Sequence, residues 1–268
     1  MNQEDLVSVI MPTYNAGKYL ADSINSILNQ SYKNLELLIT DDASTDPTTL
    51  QLLQEFASKD NRVDILYLKE NHGAGYARNQ SIERAKGRYI AFCDSDDRWT
   101  TDKLEKQIAF MNKKKCALSC ASYIIFDGET QNEIGFCTAP KKITYGMMKR
   151  DNKVGCLTAI YDVQMLGRKF FMPTIRKRQD WALFLQIIRE CKVCYAYPDK
   201  PLAYYCMRRN SISSNKMSLM KYNIAVYKEI LGFHPIKANL YFFTLFLPTY
   251  GAKILKRKFD SYTFTHQK

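Results

Sequence analysis

The first hundred residues alternate between short apolar runs and longer stretches with helical spacing. Residues 6–13 (LVSVIMPT), 35–40 (LELLIT), 63–70 (VDILYLKE) and 89–93 (YIAFC) are β-rich runs with polar borders, which predicts four strands. Residues 17–30 place Leu20, Ile24, Ile27 and Leu28 on one helical face. Residues 48–59 and 74–87 read as two further helices, the last ending in Gly87. Strands that alternate with helices predict a doubly wound, mostly parallel α/β sheet.

After residue 100 the alternation fades. Residues 102–114 read as a helix, and 116–127 and 154–162 as strands. Residues 178–191 form an amphipathic helix with Trp181, Phe184, Leu185 and Ile188 on one face. This pattern predicts an appended lobe continuous with the sheet.

At 268 residues and 46% hydrophobic, the chain suits one α/β domain with an added lobe, or two small domains. It has no internal repeat or low-complexity segment. Its start, MNQEDLVSVIMPTYN, is acidic with a short apolar run, unlike a signal peptide, and no run of about 20 apolar residues occurs. The expectation is a chain in a reducing cytoplasm with its eight cysteines as thiols. A four-thiolate zinc site would need Cys116 and Cys120 to converge with Cys191 and Cys194; buried filler is the simpler reading. The net charge of +12 invites an acidic partner: nucleic acid, an anionic membrane or a phosphorylated small molecule.

Ligands of doubly wound sheets sit beyond the carboxyl ends of the strands. Three polar clusters fall there: Pro12-Thr13-Tyr14-Asn15, Asp41-Asp42, and Asp94-Ser95-Asp96-Asp97. Carboxylates so close repel one another, and a hard cation such as Mn²⁺ or Mg²⁺, completed by phosphate oxygens, would relieve that repulsion. In isolation, Asp94 to Asp96 equally fit a solvated turn capping the next helix. Gly73 and Gly75 open a helix after a strand, as in a dinucleotide-binding turn, but Arg78 stands where a third glycine belongs. The glycines are instead expected to let the helix start approach a ligand, with Arg78 facing a nucleotide or forming a surface ion pair.

Residues 7–46 (VSVIMPTYN through LELLITDDASTD) and 73–97 (GAGYARNQSIERAKGRYIAFCDSDD) resemble the nucleotide-sugar-binding half of inverting family 2 glycosyltransferases, which have the GT-A fold. The likeness covers roughly residues 6–115. A looser one, in VGCLTAIYD, MPTIRKRQDWALFLQI and YYCMRRNSISSNKM, extends to about residue 222 and points to the teichuronic-acid and O-antigen type branch. The resemblance implies a donor half at 1–115, an acceptor-binding and catalytic-base half at 116–215, and a basic, aromatic-rich helical tail at 216–268. It implies that Pro12, Thr13 and Tyr14 line the uracil pocket and that Asp41 accepts a hydrogen bond from the base. Asp94 would reach the ribose and the metal, Asp96 would hold Mn²⁺ or Mg²⁺ against the diphosphate, and Ser95 and Asp97 would line the donor side. Asp180, in RQDW, matches the family's general base, although Gln179 stands where many relatives have Glu. Arg208 and Ser211 would touch the diphosphate from a loop that closes over the donor.

A sugar hydroxyl needs such a base within hydrogen-bond reach, and UDP is a leaving group whose charge a metal can neutralise. Alone, Asp180 also fits an N-terminal charge on a helix dipole, and residues 208–216 an ordinary basic loop. From Asn215 to Lys268 there are nine Lys or Arg and two acidic residues, more than half of the net charge. Residues 239–259 are aromatic and apolar, interrupted by Pro248, and end in a basic cluster. Such a segment suits the cytoplasmic membrane interface, with aromatics inward and lysines on headgroups, or else a helix packed on the core.

The branch implies a UDP-sugar donor, Gal or Glc, and a lipid-linked sugar-diphosphate acceptor of the GlcNAc-diphosphate-undecaprenol type, with a β-linkage formed. Another acceptor, or a silent nucleotide-sugar-binding relative, stays open. Nucleic-acid binding lacks a recognition motif. A nucleotidyltransferase lacks a Gly-rich loop after the first strand. A glycosidase would need flanking carboxylates and no metal. The three histidines carry no nucleophile motif for protease-type catalysis.

Overall fold

The computed structural model describes residues 5–208 and 216–266. Val7–Thr13 (β1), Leu35–Asp41 (β2), Val63–Tyr67 (β3) and Tyr89–Phe92 (β4) are the four expected strands. Leu20–Leu28 (α1), Pro47–Lys59 (α2) and Ala74–Arg84 (α3) lie between them. Asp46 starts α2: its carboxylate accepts the Thr49 N–H at 2.9 Å, and Pro47 takes the first helical position, where no N–H is needed. β1 pairs in parallel with β2 and β4, and β2 with β3. Both faces of β1 are buried: Val7, Val9 and Met11 enter one core with α1 residues, while Ile10 enters the opposite one with Ile82 of α3.

The chain continues through Arg98–Trp99 (β5), Lys103–Lys114 (α4), Leu118–Cys120 (β6), Tyr123–Asp127 (β7), Glu133–Cys137 (β8), Lys142–Thr144 (β9) and Tyr145–Arg150 (α5). Then come Ile160–Asp162 (β10), Val163–Leu166 (α6), Gln179–Cys191 (α7), Val193–Ala196 (β11) and Ala203–Met207 (β12). The main sheet has the order β3-β2-β1-β4-β10-β6-β11-β9. β10 and β9 run against their neighbours, and the other six strands point one way. The second half of the chain thus extends the first half's sheet. β5, β12, β7 and β8 make a separate four-stranded sheet.

Two expected strands are shorter than their apolar runs. Residues 116–127 divide between β6 in the main sheet and β7 in the second, with the chain turning at Ala121-Ser122. Both pieces are largely buried, so hydrophobicity does not mark the change of sheet. Of residues 154–162 only the last three are strand, after a 3₁₀ turn at Cys156–Thr158.

The tail forms Lys216–Ala225 (α8), Pro235–Tyr241 (α9) and Leu247–His266 (α10), with wide π turns at Val226–Ile230 and Phe242–Phe246. The helix passes Pro248 instead of stopping there; the wide turn just ahead accommodates a residue with no N–H to give. Ala238, Phe242 and Phe246 are buried in one core with Trp181 and Tyr227, so these aromatics face the protein and not a membrane. α10 lies close on β8, where a Cβ on Gly135 would stand 2.6 Å from Ser261 Oγ. Among the described residues no helix is long and apolar enough to cross a membrane.

Six of the eight free cysteines are buried. Cys116, Cys120 and Cys191 lie near enough to Cys194 to raise its thiol further after burial has done so. Among the described residues, however, no group of three or more His, Cys, Asp or Glu is placed to hold a metal.

Candidate active site

The parallel register sets the site. Thr13 lies opposite Asp41, and Asp41 opposite Tyr67, so three strand ends finish level. Ile10 lies opposite Phe92, the last residue of β4, so β4 and the acidic segment that follows it leave the sheet before β1 ends at Thr13. The Thr13 side chain is buried, and its hydroxyl has no hydrogen-bond partner among the described residues. Pro12 is buried within β1, while Tyr14 just beyond it is 51% exposed. The buried Asp41 carboxylate accepts Ser44 N–H at 3.0 Å and Ser44 Oγ–H at 2.5 Å. Asn15 Oδ1 accepts the N–H groups of Thr45 and Asp46, both at 2.9 Å, which ties the first two loops together.

Asp42, noted in sequence only as Asp41's neighbour, pins the start of α3. Its carboxylate accepts His72 N–H at 2.8 Å and Gly73 N–H at 2.7 Å. Gly73 has φ +88°, which only glycine adopts readily. Gly75 makes room for a protein side chain and not for a ligand: a Cβ there would meet Gln179 Nε2 at 2.6 Å. α3 and α7 therefore start side by side.

This places Arg78 inside the site and not on the surface. It is 8% exposed, its Nη2 lies 2.5 Å from Asp94 Oδ1, and its Nε has no partner among the described residues. Burial works against its charge, but Asp94, Cys156 and Asp180 nearby outweigh that and strengthen its hold on the proton. Arg78 therefore feels both Asp94 of the acidic turn and the distant Asp180.

The acidic turn is an arginine-buttressed cluster. Asp96 Oδ2 lies 2.5 Å from Arg208 Nη2, at the end of β12. Burial, then the Asp94 charge, raises the Asp96 pKa, against the pull of Arg208. Ser95 is half-buried between the two. Asp97 is buried and accepts Cys206 N–H at 2.8 Å, which fastens the turn to β12. Burial and the neighbouring Asp96 and Asp94 charges push the Asp97 carboxyl well up. Its visible engagement is thus with the second sheet. Ser211 lies outside the described residues.

Asp180 occupies the first turn of α7, directly after Arg178, whose backbone is left-handed at φ +70°. Arg178 Nε donates to Asn223 Oδ1 at 2.8 Å. Trp181 is fully buried, donates its indole N–H to Met148 O at 2.7 Å, and packs on Tyr227 and Phe246. These contacts fix the turn that carries Asp180. The Asp180 carboxylate accepts Asn152 Nδ2–H at 2.8 Å. Nothing in sequence marked Asn152 beyond its place in a polar break, RDNK, between a helix and an apolar run.

Asp94 and Asp96 offer hard oxygen donors, each now balanced by an arginine. Two carboxylates do not cage an ion alone, but one or two carboxylates with substrate phosphates is how Mg²⁺ and similar ions are commonly held. The donor set fits a cation that arrives with a diphosphate. The orphaned Arg78 Nε and Thr13 hydroxyl give the same edge two unspent donors for a polar ligand.

Comparison with known proteins shows the family and the fold. Residues 8–171 match the profile of glycosyl transferase family 2. TuaG of Bacillus subtilis, whose name assigns it provisionally to teichuronic acid biosynthesis, is 42% identical over 89% of this chain and 93% of its own. WfgD of Escherichia coli, a UDP-Glc:alpha-D-GlcNAc-diphosphoundecaprenol beta-1,3-glucosyltransferase, is 38% identical over 81% of this chain and 83% of its own. The fold resembles TarS residues 1–349 of S. aureus in complex with UDP-GlcNAc, with TM-score 0.69 and 23% identity over 88% of this chain and 70% of that one. It also resembles the Pyrobaculum calidifontis mannosyltransferase PcManGT with GDP-Man and Mn²⁺, with TM-score 0.66 and 17% identity over 95% and 75% of the two chains. With the profile matching more than half its length and relatives of this identity along most of it, the chain belongs to glycosyl transferase family 2 and is a hexosyltransferase of GT-A fold.

Proposed function

We propose that this enzyme moves a hexose, glucose or galactose, from a UDP-sugar to a lipid-linked sugar-diphosphate, with inversion to a β-linkage, in the synthesis of a surface polysaccharide such as O-antigen or capsule. The observation that carries this is Arg78, paired with Asp94 and close enough to Asp180 to sense its charge. It joins the donor half of the site to the expected base. The names of WfgD and WfaP, 38% and 37% identical, support a UDP-Glc donor and a GlcNAc-diphosphoundecaprenol acceptor.

In this reading the uracil lies against Thr13 and Tyr14 with Asp41 accepting from the base, and the ribose reaches Asp94. Asp96 and Asp94 are the residues that would hold Mn²⁺ or Mg²⁺, which when bound supplies charge neutralisation to the departing UDP. Arg208 leaves Asp96 for the diphosphate, which Ser211 is also expected to contact. Asp180 accepts the proton of the attacking hydroxyl, and attack opposite the leaving group turns an α-linked donor sugar into a β-linked product. The anomeric configuration of the product, read by proton NMR, checks the stereochemistry: a β product is expected, and an α product contradicts inversion. Arg208→Gln is expected to raise Mn²⁺ affinity of the nucleotide-free protein several-fold, since a competing cation is gone, while weakening UDP binding. Titration followed by electron paramagnetic resonance reads both, and lower Mn²⁺ affinity would contradict the exchange.

The tail supports peripheral contact with the inner membrane face. With Phe242 and Phe246 turned inward, the outer face presents Ile236, Leu240, Phe243 and Leu247, then Leu255, Phe259 and Tyr262, all exposed. Ile236, Leu240, Phe243 and Leu247 follow one another at three or four residues, as do Leu255, Phe259 and Tyr262, and Lys256, Arg257 and Lys258 stand beside the second group in the same helix. Exposed apolar groups beside a basic cluster suit an anionic bilayer surface. Leu240→Asp with Phe243→Asp is expected to cut co-sedimentation with anionic liposomes roughly tenfold or more, because each carries an apolar contact into a charge. Unchanged sedimentation would contradict a lipid-facing tail. Surface substitutions are cleaner here than truncation, which would also remove the buried Phe242 and Phe246.

A further inference from the structure

Asn152 is held in a defined orientation against Asp180. Its Oδ1 accepts Val154 N–H at 3.2 Å, which assigns the amide and turns Nδ2 toward Asp180 Oδ2 at 2.8 Å. The backbone beside it is clamped from the tail. Lys253 Nζ, on α10, donates to Asn152 O at 2.5 Å and lies 3.2 Å from Asp151 Oδ2. Lys153 Nζ reaches the same Asp151 oxygen at 3.0 Å. Asp151 is 2% exposed, so this is a buried carboxylate between two cations and not a surface pair.

We infer that Asn152 is a positioning residue for the base: it occupies one oxygen of Asp180 so that the other faces the acceptor hydroxyl, and Lys253 of the C-terminal helix holds Asn152 in place. This rests on Asp180 being the base. A carboxylate free to rotate about its last bond presents its lone pairs in many directions, whereas one oxygen held by an amide donor leaves the second with a set direction. Lys253 makes the C-terminal helix part of the catalytic scaffold, in addition to any contact of its outer face with lipid.

Asn152→Asp separates this role from simple packing. Aspartate has the same shape and still accepts Val154 N–H, but when ionised it cannot donate to Asp180; because two carboxylates this close share a proton at lower pH, kcat is compared on the alkaline plateau, where both are ionised. The expected result is a kcat roughly ten- to a hundredfold lower, with the donor and acceptor KM and UDP–Mn²⁺ affinity little changed, as misorientation of a reacting group predicts. Lys253→Met should lower kcat several-fold in the same pattern. Wild-type kcat in Asn152→Asp, or a raised acceptor KM at unchanged kcat, would overturn the inference. Should Asn152→Asp fail to bind UDP, Lys253→Met decides: a kcat loss at unchanged donor affinity supports the brace, and full kcat overturns it. Asp180→Asn run alongside tells the two failures apart. If it keeps turnover, the base reading is wrong; if it is inactive while Asn152→Asp is fully active, only the role of Asn152 falls.

Discussion

Asp180→Asn is expected to lower turnover by roughly 10³-fold or more while UDP and Mn²⁺ still bind. The substitution keeps shape and hydrogen-bonding reach but removes the proposed acceptor of the hydroxyl proton. The first turn of α7 is fixed by Trp181, which is buried and bonded to Met148 O, so the loss should not come from a moved helix. The donor half stands on β1, β2 and β4, and Arg78, which feels the Asp180 charge, keeps its ion pair with Asp94 when Asp180 becomes neutral. A calorimetric titration with UDP and Mn²⁺ should therefore match the wild-type protein while transfer is lost. Retained turnover would remove Asp180 as base.

Asp96→Ala is expected to abolish metal-dependent donor binding. The loss should exceed the roughly 10- to 100-fold seen when only the hydrogen-bond partners of metal ligands are removed. Asp96 is the carboxylate of the turn that Arg208 now neutralises, and without it Arg208 also loses its 2.5 Å partner. That pair is not a large term in stability, since the Arg208 side chain is 41% exposed. The variant should thus melt close to the wild type and fail at donor binding. Donor affinity that still rises normally with Mn²⁺ would take Asp96 out of the metal site.

Much of the first four strands and their helices was legible because the signals are local. Strand, helix and strand-end polar cluster follow one another within thirty-odd residues, and a parallel sheet must bring such clusters to one edge. Thr13 opposite Asp41 is the direct outcome. The place of Asp180 at the start of an amphipathic helix was legible, whereas its expected role came only from the resemblance of RQDW to the family's motif. The pairings that organise the site were not, because they join residues far apart in sequence. Arg78 with Asp94, Arg208 with Asp96, and Asn152 with Asp180 span 16 to over 100 residues, and no spacing rule links their types. Gly75 was misread for a related reason: the neighbour that demands a small residue is Gln179, which the fold alone brings there. The division of residues 116–127 between two sheets was hidden because both pieces are buried, and an apolar run looks the same in either. Pro248 marks a turn in most sequences, and here the wide turn before it lets the helix continue.

The most direct measurement is a transfer assay. The protein is incubated with Mn²⁺, a synthetic GlcNAc-diphosphate-lipid and, in turn, UDP-glucose, UDP-galactose and other UDP-sugars, and product is read by mass spectrometry. One added hexose from UDP-glucose or UDP-galactose, dependent on Mn²⁺ and absent with Asp180→Asn, is the predicted result. Tight binding of UDP and Mn²⁺ with no transfer from any UDP-sugar to that lipid would contradict the proposed acceptor.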